Sequence, residues 1–134
     1  MLAGIVLLLV YATANASAKP ALSKLTKDDV INIYIDAIAH GHLKGFDNVL
    51  DDSLHFDIKR ADKVDVLHKD QLLDYLASNP IDPSVATTST TISDNNGTAI
   101  MEVVFKYAGY TRTDMVTLES EGGWMITKVE STYS

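Results

Sequence analysis

Hydrophobic and polar positions along the chain follow mainly helical spacing up to Pro83, interrupted by one alternating stretch, and alternate after it. Val30, Ile31, Tyr34, Ile35 and Ile38 recur every three or four residues and form one apolar stripe. Thr26 followed by Asp28 and Asp29 starts that helix, with a capping hydroxyl and acids in the turn that the helix dipole favours, and His40-Gly41 ends it. Leu43, Phe46, Val49 and Leu50 predict a second short helix that stops at Asp51-Asp52. The segment from Ser53 to Lys59 alternates, with Leu54, Phe56 and Ile58 opposite His55, Asp57 and Lys59, which is the period of a strand. A third helix is predicted from about Lys69 to Ser78, with Leu72, Leu73 and Leu76 inward and Tyr75 at the flank, before Asn79-Pro80 and Asp82-Pro83 break the chain.

After Pro83 the pattern is antiparallel sheet: segments rich in Val, Ile, Thr and aromatics, separated by turn signals. Strands are predicted over Thr87 to Ser93, Thr98 to Tyr107, Tyr110 to Glu119 and Trp124 to Tyr133. Asn96-Gly97 suits the first hairpin because that pair readily takes positive φ, and Ala108-Gly109 and Gly122-Gly123 supply the next two turns. The expected fold class is α+β, an antiparallel meander with three helices gathered on one face.

Residues 1–18 stand apart. Leu2 to Val10 is nearly all apolar, and Ala12 to Ala18 is small and uncharged, with Ala14-Asn15-Ala16 and Ala16-Ser17-Ala18 matching the small-x-small pattern of an export-signal cleavage site. No Lys or Arg precedes the apolar run, so a short N-terminal membrane anchor stands as the alternative. The expectation is an exported chain, periplasmic or secreted, with one domain over residues 19–134 and no stable membrane span in the mature form.

Composition narrows the chemistry. A formal net charge of -7, without clustered Lys and Arg, argues against a nucleic-acid partner. With no cysteine in the chain, disulfides, thiolate metal sites and cysteine nucleophiles are excluded. His40, His42, His55 and His68 lack zinc-site spacing, so no metal is expected. Neither a Gly-x-Ser-x-Gly elbow nor a glycine-rich phosphate loop is present, and no cofactor is expected. Asn96-Gly97-Thr98 matches a glycosylation acceptor formally, but the hairpin turn accounts for it.

The stretch from Thr113 to Val129, "TDMVTLESEGGWMITKV", resembles the C-terminal signature of the putative lumazine-binding family, an exported bacterial group with the cone-shaped nuclear transport factor 2-like fold. Thr113, Asp114, Leu118, Gly122, Trp124, Ile126 and Lys128 fill the pattern, and Tyr34 to Phe56 is similar to the superfamily's first helical pair and strand. The resemblance implies a pocketed, usually homodimeric domain of uncertain biochemical role, its partner an unidentified small molecule. A second resemblance, to the ketosteroid isomerases, aligns Tyr34 with a donor on the first helix, Asp57 with the base and Asp114 with a late-strand acid. It implies an acid–base enzyme, an isomerase or dehydratase.

Strand parity refines both. Asp114 shares a face with Val116 and Leu118, and with Arg112 and Tyr110, so all point inward if those two do. Thr111, Thr113, Met115 and Thr117 then form the outer face, the expected dimer surface. An inward Asp114 serves either a pocket or a scaffold satisfied by a nearby Arg or Tyr, and Tyr34 serves either the core or a donor role. Trp124 is a sheet anchor or a pocket wall. Asp57 alternates with Leu54, Phe56 and Ile58, so it faces away from the core if they are buried. Candidate pocket-lining residues are therefore Tyr34, Ile38, Tyr110, Arg112, Asp114 and Trp124, with a pocketless protein-interaction module as a third reading.

Overall fold

The computed structural model describes residues 25–134; residues 1–24, and with them the signal-like segment, lie outside the described residues. Helix α1 spans Lys27–His40 and α2 spans Lys69–Ser78. Six strands follow the order β1 Leu50–Arg60, β2 Lys63–Leu67, β3 Ala86–Asn95, β4 Thr98–Lys106, β5 Thr111–Ser120 and β6 Trp124–Tyr133. They form a single sheet in the spatial order β2-β1-β6-β5-β4-β3.

Local chemistry sets the ends of α1. The Thr26 hydroxyl accepts from the Asp29 N–H at 3.1 Å, and Asp29 Oδ2 accepts from the Thr26 N–H at 2.9 Å, a reciprocal capping box. At the other end Gly41 takes the left-handed conformation, φ 71°, and its N–H donates to the Ala37 carbonyl. Helix α2 begins where the His68 N–H donates to Gln71 Oε1 at 2.9 Å. Asn96 and Gly97, at φ 52° and 80°, make the β3–β4 hairpin turn.

Three sequence expectations need correction. The second helix is absent among the described residues: only a single 3-10 turn, Asp47–Val49, precedes β1. Phe46, Val49 and Leu50 are fully buried all the same, so their spacing recorded burial rather than helix. Strand β2 was not expected. The chain reverses at Ala61, φ 53°, and β2 pairs antiparallel with β1. Finally, the sheet is mixed, because β1 pairs in parallel with β6. The helices number two among the described residues, and β4, β5 and β6 follow the predicted boundaries within a residue.

The core lies between α1, α2 and the concave side of the sheet. Its fully buried members include Val30 and Tyr34 from α1, Leu54 from β1, Leu72 from α2, Phe105 from β4, Val116 and Leu118 from β5, and Ile126 and Val129 from β6. No helix among the described residues is long and apolar enough to cross a membrane.

Candidate functional site: a buried Arg–Asp–Tyr triad beneath an aromatic cleft

Alternation along β5 buries Arg112, Asp114, Val116 and Leu118 and leaves Thr111, Thr113, Met115 and Thr117 half-buried on the other face. Two charged residues thus enter the core side by side. Residues two apart on a strand share a face, and the Arg side chain is long enough to fold back along it. Arg112 Nε donates to Asp114 Oδ1 and Nη2 to Oδ2, each at 2.8 Å. The pair is bidentate and almost dry: Arg112 is 8% exposed and Asp114 0%.

Helix α1 supplies the third member. Its stripe of Val30, Ile31, Tyr34, Ala37 and Ile38 faces the sheet, and the Tyr34 hydroxyl donates to Asp114 Oδ2 at 2.5 Å. Burial pushes the Tyr34 phenol well above its ordinary value of 10.0; the Asp114 charge adds to this and Arg112 opposes it. For Arg112, burial is the largest single influence and lowers the pKa, but the Asp114 charge, Tyr34, the hydrogen bonds to Asp114 and Tyr133 together outweigh it and hold the guanidinium more firmly protonated than usual. The guanidinium carbon also lies 5.4–5.6 Å from the Phe105 and Phe56 ring centres and 5.9 Å from that of Tyr133.

Each ion costs several kcal/mol to desolvate, so such a pair needs near-ideal geometry and further partners to persist. Here the partners are two parallel hydrogen bonds, a phenol and aromatic faces. Across the sheet, Asp114 stands beside Val103 on β4 and Ser131 on β6, and Ser131 beside Ile58 on β1. The Ser131 hydroxyl is fully buried and has no hydrogen-bond partner among the described residues.

One side of Arg112 opens into a cleft of about 220 Å³. Its walls include Ile38, Leu76 and Ile81 together with four tyrosines, Tyr75, Tyr107, Tyr110 and Tyr133. Tyr107 and Tyr110 stack at 4.7 Å between centroids, and Tyr133 lies 5.9 Å from Tyr110. Asp82 stands at the rim, its carboxyl held below the usual range chiefly by the Ser84 hydroxyl. The segment carrying Ile81 seats against Gly41, where an added Cβ would come within 2.9 Å of Ile81 Cδ1. Arg112 is part of the cleft lining while its Nε and Nη2 are engaged by Asp114, and a second cation, Arg60, lies 5.6 Å from the ring centre of Tyr133.

Of the sequence candidates, Ile38, Tyr110 and Arg112 line this cleft. Tyr34 and Asp114 form the buried layer directly behind Arg112. Trp124 does not belong to it. Trp124 and Tyr133 occupy opposite ends of β6, which at about 3.3 Å per residue are about 30 Å apart. Trp124 instead has the Lys27 ammonium over its ring, at 5.3 Å. Asp57 alternates with the buried Phe56 and Ile58 and lies on the opposite face of β1, so it is not available as a base beside Tyr34 and Asp114. Tyr75, Tyr107 and Tyr133 were missed as cleft residues, although Tyr133 shares parity with the buried Val129 and Ser131. A second depression, of about 340 Å³, is lined by Asp47, Asp51, Asp52 and Lys69 without a buried polar group. No group of three or more His, Asp or Glu among the described residues is placed to hold a metal.

Comparison with known proteins places the chain. The family model described as "Putative lumazine-binding" matches residues 24–134. An NTF2-like protein of unknown function from Shewanella baltica superposes with a TM-score of 0.69 at 14% identity, covering 79% of this chain and 89% of that one. A similar protein from Methylobacillus flagellatus gives 0.67 at 20% identity, covering 84% and 97%. A structure described as a putative ketosteroid isomerase from Parabacteroides distasonis gives 0.58 at 13% identity, covering 84% and 91%. At these identities the likeness shows the NTF2-like fold alone. No curated protein matches the chain.

Proposed function

The chain belongs to the putative lumazine-binding family, and from that premise we propose that it is a small-molecule-binding domain whose site is the tyrosine-walled cleft over Arg112. A single observation carries this reading: Arg112, nearly buried and fixed by Asp114 along one edge of its guanidinium, is part of the lining of a concave, tyrosine-walled space. Apolar walls with a few convergent polar groups are the usual make-up of a ligand site. In a pure scaffold role the Arg112–Asp114 pair would be enclosed by side chains on every side.

An acid–base enzyme fits less well. Asp114 is engaged by Arg112 on both oxygens and by Tyr34 on one, leaving it poorly placed to take a proton from a substrate. Asp57 is on the other face. The reading also has the domain exported and dimeric, joined through the outer sheet face where Thr113, Met115 and Thr117 are half-buried in the protomer.

A thermal-shift and native mass-spectrometry screen with flavin-like and steroid-like compounds tests the proposal. Stabilisation by one class, reduced in a Tyr110→Leu variant, is expected. A flat response to both classes would overturn it. For the dimer, light scattering of Met115→Lys should report a monomer where the parent chain reports a dimer; a monomeric parent chain removes that part.

A further inference from the structure

We propose that Tyr107 and Tyr110 form a site of oxidative cross-linking, at which a one-electron oxidant joins their rings through a carbon–carbon bond into dityrosine. The inference stands apart from the binding reading above, since it needs only these two side chains and the oxidant.

Strand register brings the rings together. Lys106 on β4 pairs with Thr111 on β5, and one step further out the Tyr107 N–H donates to the Tyr110 carbonyl at 2.9 Å. The two tyrosines are therefore cross-strand neighbours at the base of the β4–β5 turn, where facing side chains leave the sheet on the same side. Their rings lie 4.7 Å apart between centroids and 16° from parallel. That separation is only a little longer than the one between two directly bonded rings, so a small slide and turn within the existing contact brings the ring carbons beside the two hydroxyls together.

Exposure and distance single out this pair among the described tyrosines. Tyr110 is 46% exposed and Tyr107 half-buried, so a small oxidant reaches them from solvent. Tyr34 is fully buried, with its hydroxyl held by Asp114. Tyr133 lies 5.9 Å from Tyr110 and is tilted by 38°, a poorer approach on both counts. With no cysteine in the chain, no thiol intercepts the oxidant first.

The step balances. Each phenol gives one electron to the oxidant and one proton to water, leaving two phenoxyl radicals whose spin is shared with the ring carbons ortho to oxygen. One ortho carbon of each ring then bonds to the other, each of the two loses its hydrogen as a proton, and each oxygen regains one as the rings become aromatic again. The product is two phenols joined by one carbon–carbon bond, two hydrogens lighter than the parent. Because the rings already touch, coupling within one chain outruns coupling between chains in dilute solution. The bond would staple the ends of β4 and β5 together and turn two separate walls of the cleft into one rigid surface.

The test illuminates dilute protein with tris(bipyridine)ruthenium and persulfate, each persulfate accepting two electrons and leaving as two sulfates. Trypsin cuts after Lys106 and Arg112, so the peptide Tyr107–Arg112 carries these two tyrosines and no others. It should be recovered two hydrogens lighter, with the blue fluorescence of dityrosine. Tyr110→Phe should lower that fluorescence at least fivefold, whereas Tyr133→Phe should leave it in place. Unfolding the chain in urea before illumination should cut the yield at least threefold, which separates the stacked geometry from mere nearness in sequence. Recovery of the peptide unchanged, a bond to Tyr133 instead, cross-linking chiefly between chains, or an equal yield in urea would each overturn the proposal.

Discussion

Asp114→Asn keeps the outline of the side chain and removes its charge, leaving Arg112 as a cation with 10% of its side chain in solvent and an amide NH₂ turned toward one of its own N–H donors. Breaking one half of a buried ion pair costs about 3–5 kcal/mol, because the remaining charge stays desolvated. Solvent screening reduces this little, given how dry the pair is. Small domains hold only about 5–15 kcal/mol in total, so the variant should lose a large part of its stability. At about 4 °C per kcal/mol, suited to a domain of this size, the midpoint falls by about 12–20 °C. Arg112→Met alone should cost a comparable amount. The double variant Arg112→Met with Asp114→Leu should recover most of it, since replacing both partners with apolar groups is often neutral or stabilising. With the single variant Asp114→Leu as the fourth corner, urea unfolding followed by the fluorescence of Trp124, the only tryptophan, reads the complete cycle. Additive single effects, or an Asp114→Asn loss below about 1 kcal/mol, would show that the pair is not energetically coupled in the way its geometry requires.

Three further outcomes can be checked on the same samples. Tyr34 has its pKa raised above 10.0, mainly by burial, so the folded state keeps a proton that the unfolded state gives up; its contribution is complete below pH 10 and is lost as pH rises toward the folded value. Tyr34→Phe should therefore flatten the alkaline fall in stability, and an unchanged slope would contradict the assignment. Ser131→Ala removes a buried hydroxyl that has no partner among the described residues, so denaturation should show no loss or a gain of up to about 1–2 kcal/mol; a loss above about 1 kcal/mol would reveal a hydrogen bond to that oxygen. Gly41→Ala and Gly97→Ala both place a Cβ at positive φ, +71° and +80°, but only Gly41 faces a neighbour, Ile81. Thermal melts should find both destabilised by about 1–2 kcal/mol of backbone strain, with Gly41→Ala the worse; equal losses would mean that Ile81 does not press on Gly41.

Local signals carried much of the fold. Thr26 and Asp29 gave away the start of α1, and alternation in β5 placed Arg112 and Asp114 on the inner face, because both signals depend on nearest neighbours alone. Leu43 to Leu50 misled for a physical reason: a 3-10 turn running into a strand can bury Phe46, Val49 and Leu50 at spacings close to those of a helix. Strand β2 was hidden because Val64 and Val66 alternate correctly yet remain exposed at the sheet edge. Long-range partnerships left no local trace. That Tyr34 meets Asp114, eighty positions later, follows from how α1 lies over β5. The parallel register of β1 on β6 and the gathering of Tyr75, Tyr107 and Tyr133 around one cleft are likewise products of tertiary packing.

The position of β6 between β1 and β5 makes the order of synthesis matter. While a chain is being made from its N-terminus, β1–β2 and β3–β4–β5 can form as two separate ribbons, each with an unpaired inner edge. Neither ribbon can join the other until Trp124 to Tyr133 arrives and pairs with both at once. Cooperative closure of the sheet is thereby postponed to a strand contributed late, with high sequence separation and a correspondingly slow final step. A chain stopped before Trp124 would present two open edges, the condition under which strands pair with the wrong molecule and aggregate.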